Sequence, residues 1–170
     1  MGCGKSTMGR AVSELAGMPF IDLDNYIECR YHLSVKEIFA QRGEDAFRDI
    51  ERRMLQEVAD FEDVIVACGG GTPCFFDNME YMNAHGTTVF LNTPIPRLHS
   101  RLVRGRHKRP LIANKTDEEL LLFIQNALEA RMPYYAKAQI EFSSEFLESV
   151  DQIKNTAWKF IDELSIKVNK

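Results

Sequence analysis

The amino end of the chain carries the feature that most limits what it can fold into, a glycine-rich loop that leads directly into a helix. Six residues match the second half of the pattern G-x-x-x-x-G-K-[ST]; they are Gly2, Cys3, Gly4, Lys5, Ser6 and Thr7. Apolar side chains then follow at helical spacing over 8–16. In such a loop, backbone N–H groups surround a phosphate, the lysine neutralises its oxygens and the hydroxyl coordinates Mg²⁺. The pattern therefore indicates a nucleoside triphosphate as the first ligand.

The loop pattern is incomplete at its amino side. Its first glycine would fall before Met1, together with the strand that normally precedes such a loop. Gly-Lys-Ser strings also arise by chance, so the helix that follows is what strengthens the interpretation. We expect upstream residues in the natural protein. The intact mass of that protein tests this expectation, because a mass equal to that of Met1 to Lys170 would refute it.

Beyond the loop, short apolar strands alternate with amphipathic helices, which is the order that a parallel α/β sheet requires. Strands are predicted at 19–22, 64–68, 88–91 and 140–142. Helices are predicted at 8–16, 26–31, 35–42, 44–59, 77–84, from 94 or 96 to 104, 116–130 and 150–164. Two of them begin with capping boxes, Ser34 with Glu37 and Thr116 with Glu119. A chain of 170 residues without repeats or low-complexity linkers predicts a single domain.

Composition indicates the cellular compartment of the protein and the state of its cysteines. Apolar residues make up 45% of the chain, enough for a sizeable core, and neither a long apolar run nor a signal peptide is present. We therefore expect a cytoplasmic protein without a membrane partner. The cysteines lack metal-site spacing and are expected to be reduced thiols; they are Cys3, Cys29, Cys68 and Cys74.

One short segment concentrates positive charge on an acidic chain. Its six cationic side chains are Arg97, Arg101, Arg104, Arg106, Lys108 and Arg109. Without them, 15 basic residues face 25 acidic ones. A nucleic-acid surface is disfavoured, because the rest of the chain is acidic and no aromatic residue interrupts the segment. A mobile flap over phosphates is the favoured interpretation, with Gly105 as a hinge and arginines that stabilise a transferred phosphoryl group.

Two further patterns follow predicted strands. Asp22 and Asp24 end the first strand, and alternation would point both carboxylates the same way, one toward a metal and one toward an acceptor. Asp24 as a helix N-cap is the alternative. Next, Gly69, Gly70 and Gly71 remove every Cβ, so that a small molecule can lie against backbone or the chain can turn with positive φ. No acid ends the second strand, which leaves Asp22 as the candidate carboxylate for Mg²⁺.

Two arginines lie far apart in the sequence, Arg48 and Arg131. Either one alone is most simply explained as a surface ion pair. Together, two converging guanidinium groups would bind a carboxylate through bidentate hydrogen bonds.

Taken in order, these motifs resemble the shikimate kinase family. The motifs are Gly-x-Gly-Lys-Ser-Thr, Asp-x-Asp, Phe-Arg-x-Ile-Glu, Gly-Gly-Gly, Arg-Pro-Leu and Arg-x-Pro-Tyr-Tyr, and they cover nearly the whole chain. The resemblance implies a three-layer P-loop kinase fold with a parallel sheet of order 2-3-1-4-5, whose strand 1 is truncated or absent in this chain. It implies one kinase domain over 1–170, with a shikimate-binding segment at about 24–61 and a lid at about 105–117. It also implies transfer of the γ-phosphoryl group of ATP to the 3-hydroxyl of shikimate, in aromatic amino acid biosynthesis.

The resemblance also implies roles for single residues. Lys5 would hold the β- and γ-phosphates, Ser6 would ligate Mg²⁺, and Asp22 would hold a metal-bound water. Asp24 would bind the shikimate hydroxyls and accept the proton of the attacking one. Arg48 and Arg131 would clamp the carboxylate of shikimate, and Gly69, Gly70 and Gly71 would form the floor of the same pocket. Arg109 would close over ATP together with the lid. Arg101 or Arg104 would contact the adenine.

Two alternatives stay open at this point. A related kinase, for gluconate or a nucleotide, would keep the loop and the lid but would need neither the paired arginines nor the three glycines. A binding module with a defective loop would not turn over ATP. We expect a monomer, from the family likeness alone.

Overall fold

The computed structural model describes residues 2–168, which form an α/β fold of short parallel strands covered by helices. The strands are β1 Phe20–Asp22, β2 Ile65–Ala67, β3 Val89–Asn92 and β4 Ile140–Ser143. The α-helices are α1 Lys5–Ala16, α2 Leu23–Tyr31, α3 Val35–Ala59, α4 Asn78–His85, α5 Ile95–Arg104, α6 Asp117–Tyr135 and α7 Val150–Glu163. Short 3₁₀ turns occupy Thr72–Cys74, Arg106–Lys108 and Pro110–Ile112.

The strands pair as two separate parallel sheets. β1 pairs with β2, with Phe20 opposite Ile65, and β3 pairs with β4, with Val89 opposite Ile140. No ladder joins β2 to β3 within the part of the chain that the structure describes. The two pairs correspond to strands 2-3 and 4-5 of the expected order, which leaves the position of strand 1 between them.

Helix α1 holds the two sheets together. Its buried side chains Met8, Val12 and Ala16 pack in one core with residues of both sheets, including Ile65 and Val89. Each fully buried Met or Val side chain contributes about 1.5–3 kcal/mol relative to exposure. Two other cores lie under α2 and α3 and between α5 and α6. Because α1 begins at the glycine-rich loop, its packing fixes the loop at the carboxyl ends of the strands.

Local sequence signals set several helix ends. Both capping boxes form, with Ser34 and Thr116 each accepting a hydrogen bond from the backbone of the glutamate three residues later. Gly17 ends α1 in the left-handed region at φ 69°, as a C-cap glycine does. The two helices predicted at 35–42 and 44–59 form one element, α3, that is kinked at Gly43 (φ 80°).

Three predicted helix boundaries are wrong by three residues or more. α1 begins at Lys5 and not at 8. α2 begins at Leu23 and not at 26, since Asp22 already takes the N-cap position. α6 runs past 130 to Tyr135 and includes Pro133. The helix tolerates this proline in its last turn, where only one intrahelical hydrogen bond is lost. Arg131 therefore projects from a helix. Within residues 2–168, no helix has the length and hydropathy needed to cross a membrane.

Candidate active site

The glycine-rich loop adopts the backbone that an anion site needs. Gly2 and Gly4 have φ angles of 80° and 95°, in the left-handed region, and Gly4 is the N-cap of α1. A Cβ at Gly4 would also collide with Leu147. The N–H groups of the first helical turn have no intrahelical acceptor. They and the helix dipole are thus available to a phosphate at the end of α1.

Ser6 and Asp22 meet beside this helix end. The hydroxyl of Ser6 donates a 2.6 Å hydrogen bond to Oδ2 of Asp22. Two neighbouring oxygens of this kind suit Mg²⁺, which binds proteins through one or two side-chain oxygens and takes its other ligands from phosphates and water. Among the described residues, no cluster of three or more acids, histidines or cysteines offers a complete protein-made metal site.

Asp24 lies close to Lys5 and Asp22, although not for the reason expected from the sequence. The expected alternation stops at Asp22, and Asp24 belongs to the first turn of α2. Burial raises the pKa of Asp24, the negative charges of Asp22 and Glu51 raise it further, and Lys5 lowers it. Asp24 is therefore a solvent-accessible carboxylate of increased basicity next to the phosphate loop.

The three glycines form a surface that other side chains approach closely. None of them has a positive φ angle, so the sequence-based suggestion of a positive-φ turn is wrong. A Cβ at Gly69 would lie 3.4 Å from Oδ1 of Asp24, and a Cβ at Gly71 would lie 3.1 Å from the guanidinium nitrogens of Arg48. Glycine is needed here because polar groups of the site lie against the backbone.

A buried carboxylate holds Arg48 and the glycine segment together. Glu51, 1% exposed, accepts hydrogen bonds from the Thr72 hydroxyl at 2.6 Å and from Arg48 at 2.8 Å. Arg48 also bonds Glu44 at 3.0 Å, and its guanidinium lies 3.9 Å from the ring centre of Phe75. Sequence reasoning gave no role to Glu51 or Thr72. The i, i+3 spacing of Arg48 and Glu51 on one helix was the available signal.

Arg131 approaches the same region from α6. It lines one cleft with Gly69 and Gly70. Burial raises the pKa of the Cys74 thiol, while the positive charges of Arg131 and Arg48 each lower it. Both arginines therefore lie near Cys74, which follows the glycine segment in the chain. Neither is an isolated surface group, since Arg48 pairs with Glu51 and Arg131 is half-buried in a cleft that Gly69 and Gly70 also line.

Two more residues that sequence reasoning missed fix the glycine segment. Tyr135 donates a 2.6 Å hydrogen bond to the carbonyl of Gly70, and Asn78 donates one of 2.8 Å to the carbonyl of Thr72. The ring of Tyr135 stacks on Phe90 at 5.0 Å. Because Tyr135 and Arg131 are on the same helix, α6 positions both the glycine segment and Arg131.

For shikimate, the substrate that the family resemblance implies, we expect Tyr135→Phe to raise the KM by roughly fivefold, since loss of the hydroxyl leaves the Gly70 carbonyl unpaired at a cost of about 1 kcal/mol. The ring stacking is kept, so the helix stays in place. Steady-state kinetics with shikimate varied at saturating ATP measures the change. Tyr134→Phe, on the next residue, is the control and should leave KM unchanged. An unchanged KM in Tyr135→Phe would contradict the positioning of the floor by α6.

The structure does not bring Arg109 to the phosphate loop. Its guanidinium donates to the carbonyl of Gly105 at 2.9 Å, at the start of the expected lid. Within the same segment Arg106 pairs with Asp117, and Ile112 is fully buried against the α5–α6 core. The expected lid segment therefore makes hydrogen bonds and an ion pair within itself, and the buried side chain of Ile112 packs it against α5 and α6.

Of the two candidates for an adenine contact, Arg101 is engaged elsewhere. It donates to the carbonyls of Ser144 and Glu145 at 3.1 and 2.6 Å and pairs with Glu148 at 3.0 Å. These bonds tie the segment after β4 to α5. Arg104 is exposed and bonds only Ser100 among the described residues. The assignment of an adenine contact to either residue stays a prediction.

A phosphate-binding loop at a helix N-terminus, with acids at the carboxyl end of the adjacent parallel strand, is the arrangement of a P-loop nucleotide-binding protein, a class that includes kinases. The sequence model of the family described as shikimate kinase matches residues 1–162. The chain belongs to the shikimate kinase family and is an ATP-dependent kinase. The family resemblance and the fold expected from the sequence are confirmed.

Known proteins similar to this chain share both its sequence and its fold. The shikimate kinase of Parabacteroides distasonis is 52% identical over 164 residues, which is 95% of each chain. The crystal structure of the Bacteroides thetaiotaomicron shikimate kinase matches with a TM-score of 0.93 at 48% identity, over 97% of this chain and 94% of that one. The Acinetobacter baumannii shikimate kinase, solved in complex with shikimate, matches with a TM-score of 0.81 at 31% identity, over 99% and 91%.

Proposed function

We propose that this site transfers the γ-phosphoryl group of ATP to the 3-hydroxyl of shikimate, giving shikimate 3-phosphate for aromatic amino acid biosynthesis. The observation that carries the proposal is the position of Arg48 and Arg131, two cations from different helices, beside the glycine segment. Asp24 and Lys5 lie at the other end of the same segment. A small molecule with a carboxylate at one end and a hydroxyl group at the other would meet both sets of side chains.

The nucleotide side of the site is built from the start of α1. The backbone N–H groups of the loop would hold the phosphates, and Lys5 would neutralise the charge that gathers on the β- and γ-oxygens during transfer. Ser6 and Asp22 would hold Mg²⁺ between their oxygens. When bound, the ion supplies charge neutralisation for the phosphates.

The acceptor side is built from α2, α3 and α6. Arg48 and Arg131 would bind the shikimate carboxylate, which fixes the orientation of the ring over the glycines. Asp24 would then accept the proton of the 3-hydroxyl as that oxygen attacks the γ-phosphorus. Its raised pKa suits this role, because a more basic carboxylate takes a proton more readily at the moment of attack.

Arg109 would complete the site by a movement of the lid. Within the described residues, the only hydrogen bond that its side chain makes is to the carbonyl of Gly105, which would be the hinge of the segment. Replacement of that single hydrogen bond by one to a phosphate oxygen would cost little free energy, because the new hydrogen bond is charge-assisted. The lid would also exclude water from the transferred group.

We propose a monomer in the cytoplasm, with neither a nucleic-acid nor a membrane partner. The chain as a whole carries a net charge of −4, which disfavours binding to polyanions. Light scattering at micromolar concentration tests the monomer.

Phosphorylation of shikimate compared with gluconate tests the proposed function. In a coupled assay with ATP and Mg²⁺, we expect turnover with shikimate and at least a hundredfold lower kcat/KM with gluconate, whose flexible chain cannot meet the clamp and Asp24 without ordering. Preference for gluconate would replace the assignment with a related kinase. Absence of ATP turnover with any acceptor would leave a nucleotide-binding module.

Arg48→Ala should raise the KM for shikimate about tenfold to a hundredfold, with the KM for ATP unchanged. The change removes a charge-assisted contact worth roughly 1.5–3 kcal/mol. Steady-state kinetics with each substrate varied in turn measures both constants. Arg52→Ala is a matched control, because Arg52 lies one turn later on α3 and pairs with Asp77 at the surface. If Arg48→Ala left the affinity for shikimate unchanged, Arg48 would have no part in the clamp.

A further inference from the structure

An aromatic ring lies directly against the guanidinium group of Arg48. Cζ of Arg48 is over the ring of Phe75, 3.9 Å from its centre. Two other rings are more distant, Phe47 at 5.2 Å and Phe39 at 5.9 Å. Carbon atoms in van der Waals contact are about 3.5–4.0 Å apart. Phe75 is therefore the aromatic residue that touches this cation.

Phe75 reaches this position through a fixed turn of the chain. Thr72–Cys74 form a 3₁₀ turn, and the hydroxyl of Thr72 donates a hydrogen bond to Glu51 at 2.6 Å. Phe75 is the extended residue that follows, at φ −116° and ψ 146°. Because Glu51 also accepts a hydrogen bond from Arg48, one buried carboxylate fixes both the cation and the turn that carries the ring.

The carboxylates and the ring hold the guanidinium group in different ways. Nη1 of Arg48 donates to Glu51, and Nη2 donates to the exposed Glu44. Nε is buried and has no acceptor within residues 2–168. The π face of Phe75 attracts the cation through its quadrupole and needs none of the N–H donors. The donors that the two carboxylates leave free thus stay available to a ligand.

Core packing does not explain the position of Phe75. The ring is only partly buried, and among the described residues it belongs to none of the apolar cores. The next residue, Phe76, is exposed and lies over Arg52 at 5.0 Å. Arg52 pairs with Asp77 at the surface, away from the glycine segment. Two adjacent phenylalanines therefore contact two arginines, of which only Arg48 belongs to the site.

We propose that Phe75 is a positioning residue of the carboxylate site, whose ring holds the Arg48 guanidinium in the orientation that binds the acceptor. The inference rests on the proposed function, in which Arg48 binds the carboxylate of shikimate. An arginine side chain loses several rotational freedoms when it binds a ligand, which weakens affinity. With Phe75 against the guanidinium and Glu51 at one edge, this ordering precedes binding. Phe75 thus acts on acceptor affinity and not on phosphoryl transfer.

Replacement of the ring by an aliphatic side chain tests the proposal. We expect Phe75→Leu to raise the KM for shikimate about three- to thirtyfold, the range of a partly desolvated cation–π pair. The kcat and the KM for ATP should stay within about twofold, since the phosphate loop is untouched. Steady-state kinetics with each substrate varied in turn measures these constants. Phe76→Leu is the matched control, because it removes the ring from Arg52 and should change none of them.

Fluorinated phenylalanines at position 75 separate the charge interaction from the shape of the ring. Each added fluorine weakens the negative π face but hardly alters the size of the side chain. The KM for shikimate should therefore rise stepwise with the number of fluorines, with Tm unchanged within about 2 °C. The same series at position 76 should leave KM constant. This series decides the proposal even if Phe75→Leu does not fold.

A double-mutant cycle identifies the partner of the ring. In an Arg48→Ala background, Phe75→Leu should change the KM for shikimate by less than about twofold, because no cation is left for the ring to hold. In an Arg131→Ala background, Phe75→Leu should keep its full effect. A stepwise fluorine series together with this loss of effect supports the proposal.

Three results would overturn the proposal: an unchanged KM in Phe75→Leu, a constant KM across the fluorine series, or an equal effect of Phe75→Leu with and without Arg48. Turnover of shikimate that depends on Arg48 but not on Phe75 would refute this inference alone. No turnover of shikimate by the unsubstituted chain would refute the proposed function and this inference with it.

Discussion

Replacement of Lys5 by alanine is expected to lower kcat by about 10²–10³-fold. The amino group lies at the start of α1, where the loop would place the β- and γ-phosphates. During transfer, negative charge on these oxygens must be balanced, and a fixed cation contributes most in the transition state. The KM values should change much less than kcat. A coupled assay at saturating ATP and shikimate measures the loss.

A control separates this effect from a general loss of charge. Lys154→Ala removes an exposed cation from α7, far along the chain from the loop, and should leave kcat within a factor of about two. Lys5→Arg keeps the charge but changes its geometry, and we expect only partial recovery. A Lys5→Ala enzyme with kcat near that of the unsubstituted chain would remove Lys5 from the transfer step.

Asp24→Asn is expected to lower kcat by roughly 10²–10⁴-fold, the range typical of a lost general base. The amide keeps the size of the side chain and its place at the start of α2, so binding should be largely kept. Asp49→Asn, an exposed acid beside Arg48, is the matched control. Turnover that survives Asp24→Asn within a few-fold would mean that positioning alone carries the step.

The pH dependence of kcat/KM tests independently whether Asp24 acts as the general base. Below its pKa, Asp24 is protonated and cannot accept a proton, so kcat/KM should fall toward acid. Burial and two neighbouring acids raise that pKa, and the acid limb should therefore lie above the ordinary range of an aspartate. Asp24→Asn should lose this limb. A limb at the ordinary position of an exposed carboxylate would contradict the role.

Local signals were sufficient to predict much of the fold. The two capping boxes and the glycine at the end of α1 act within one helical turn, so their residues alone decide the structure. The break at Gly43 was likewise visible, although the chain keeps one kinked helix there. The extension of α6 past Pro133 was not visible, because Tyr135 holds that turn through a bond to Gly70, distant in sequence.

The site was predictable where a motif fixes its own geometry. The loop from Gly2 to Thr7 is of this kind, and so is the proximity of Ser6 to Asp22 once the first strand is recognised. The support beneath the clamp was not predictable. Glu51 joins Arg48 to Thr72 across 21 residues of sequence, and only tertiary packing brings those groups together.

The same limit applies to Arg101 and Arg109. Both are cations in one basic segment, and the sequence offers no means to tell them apart. In the structure Arg101 anchors the segment after β4, whereas Arg109 bonds its own hinge. The difference arises from which carbonyl groups each side chain meets, which depends on how α5 packs.

A crystal structure of the chain with Mg²⁺, a non-hydrolysable ATP analogue and shikimate tests the central claim most directly. We expect the shikimate carboxylate to accept hydrogen bonds of about 2.8–3.0 Å from both Arg48 and Arg131, with its 3-hydroxyl between Asp24 and the γ-phosphate. The proposed transfer to shikimate would be contradicted if the two guanidinium groups pointed into separate regions of solvent without a shared ligand. It would also be contradicted if the 3-hydroxyl faced away from the γ-phosphate.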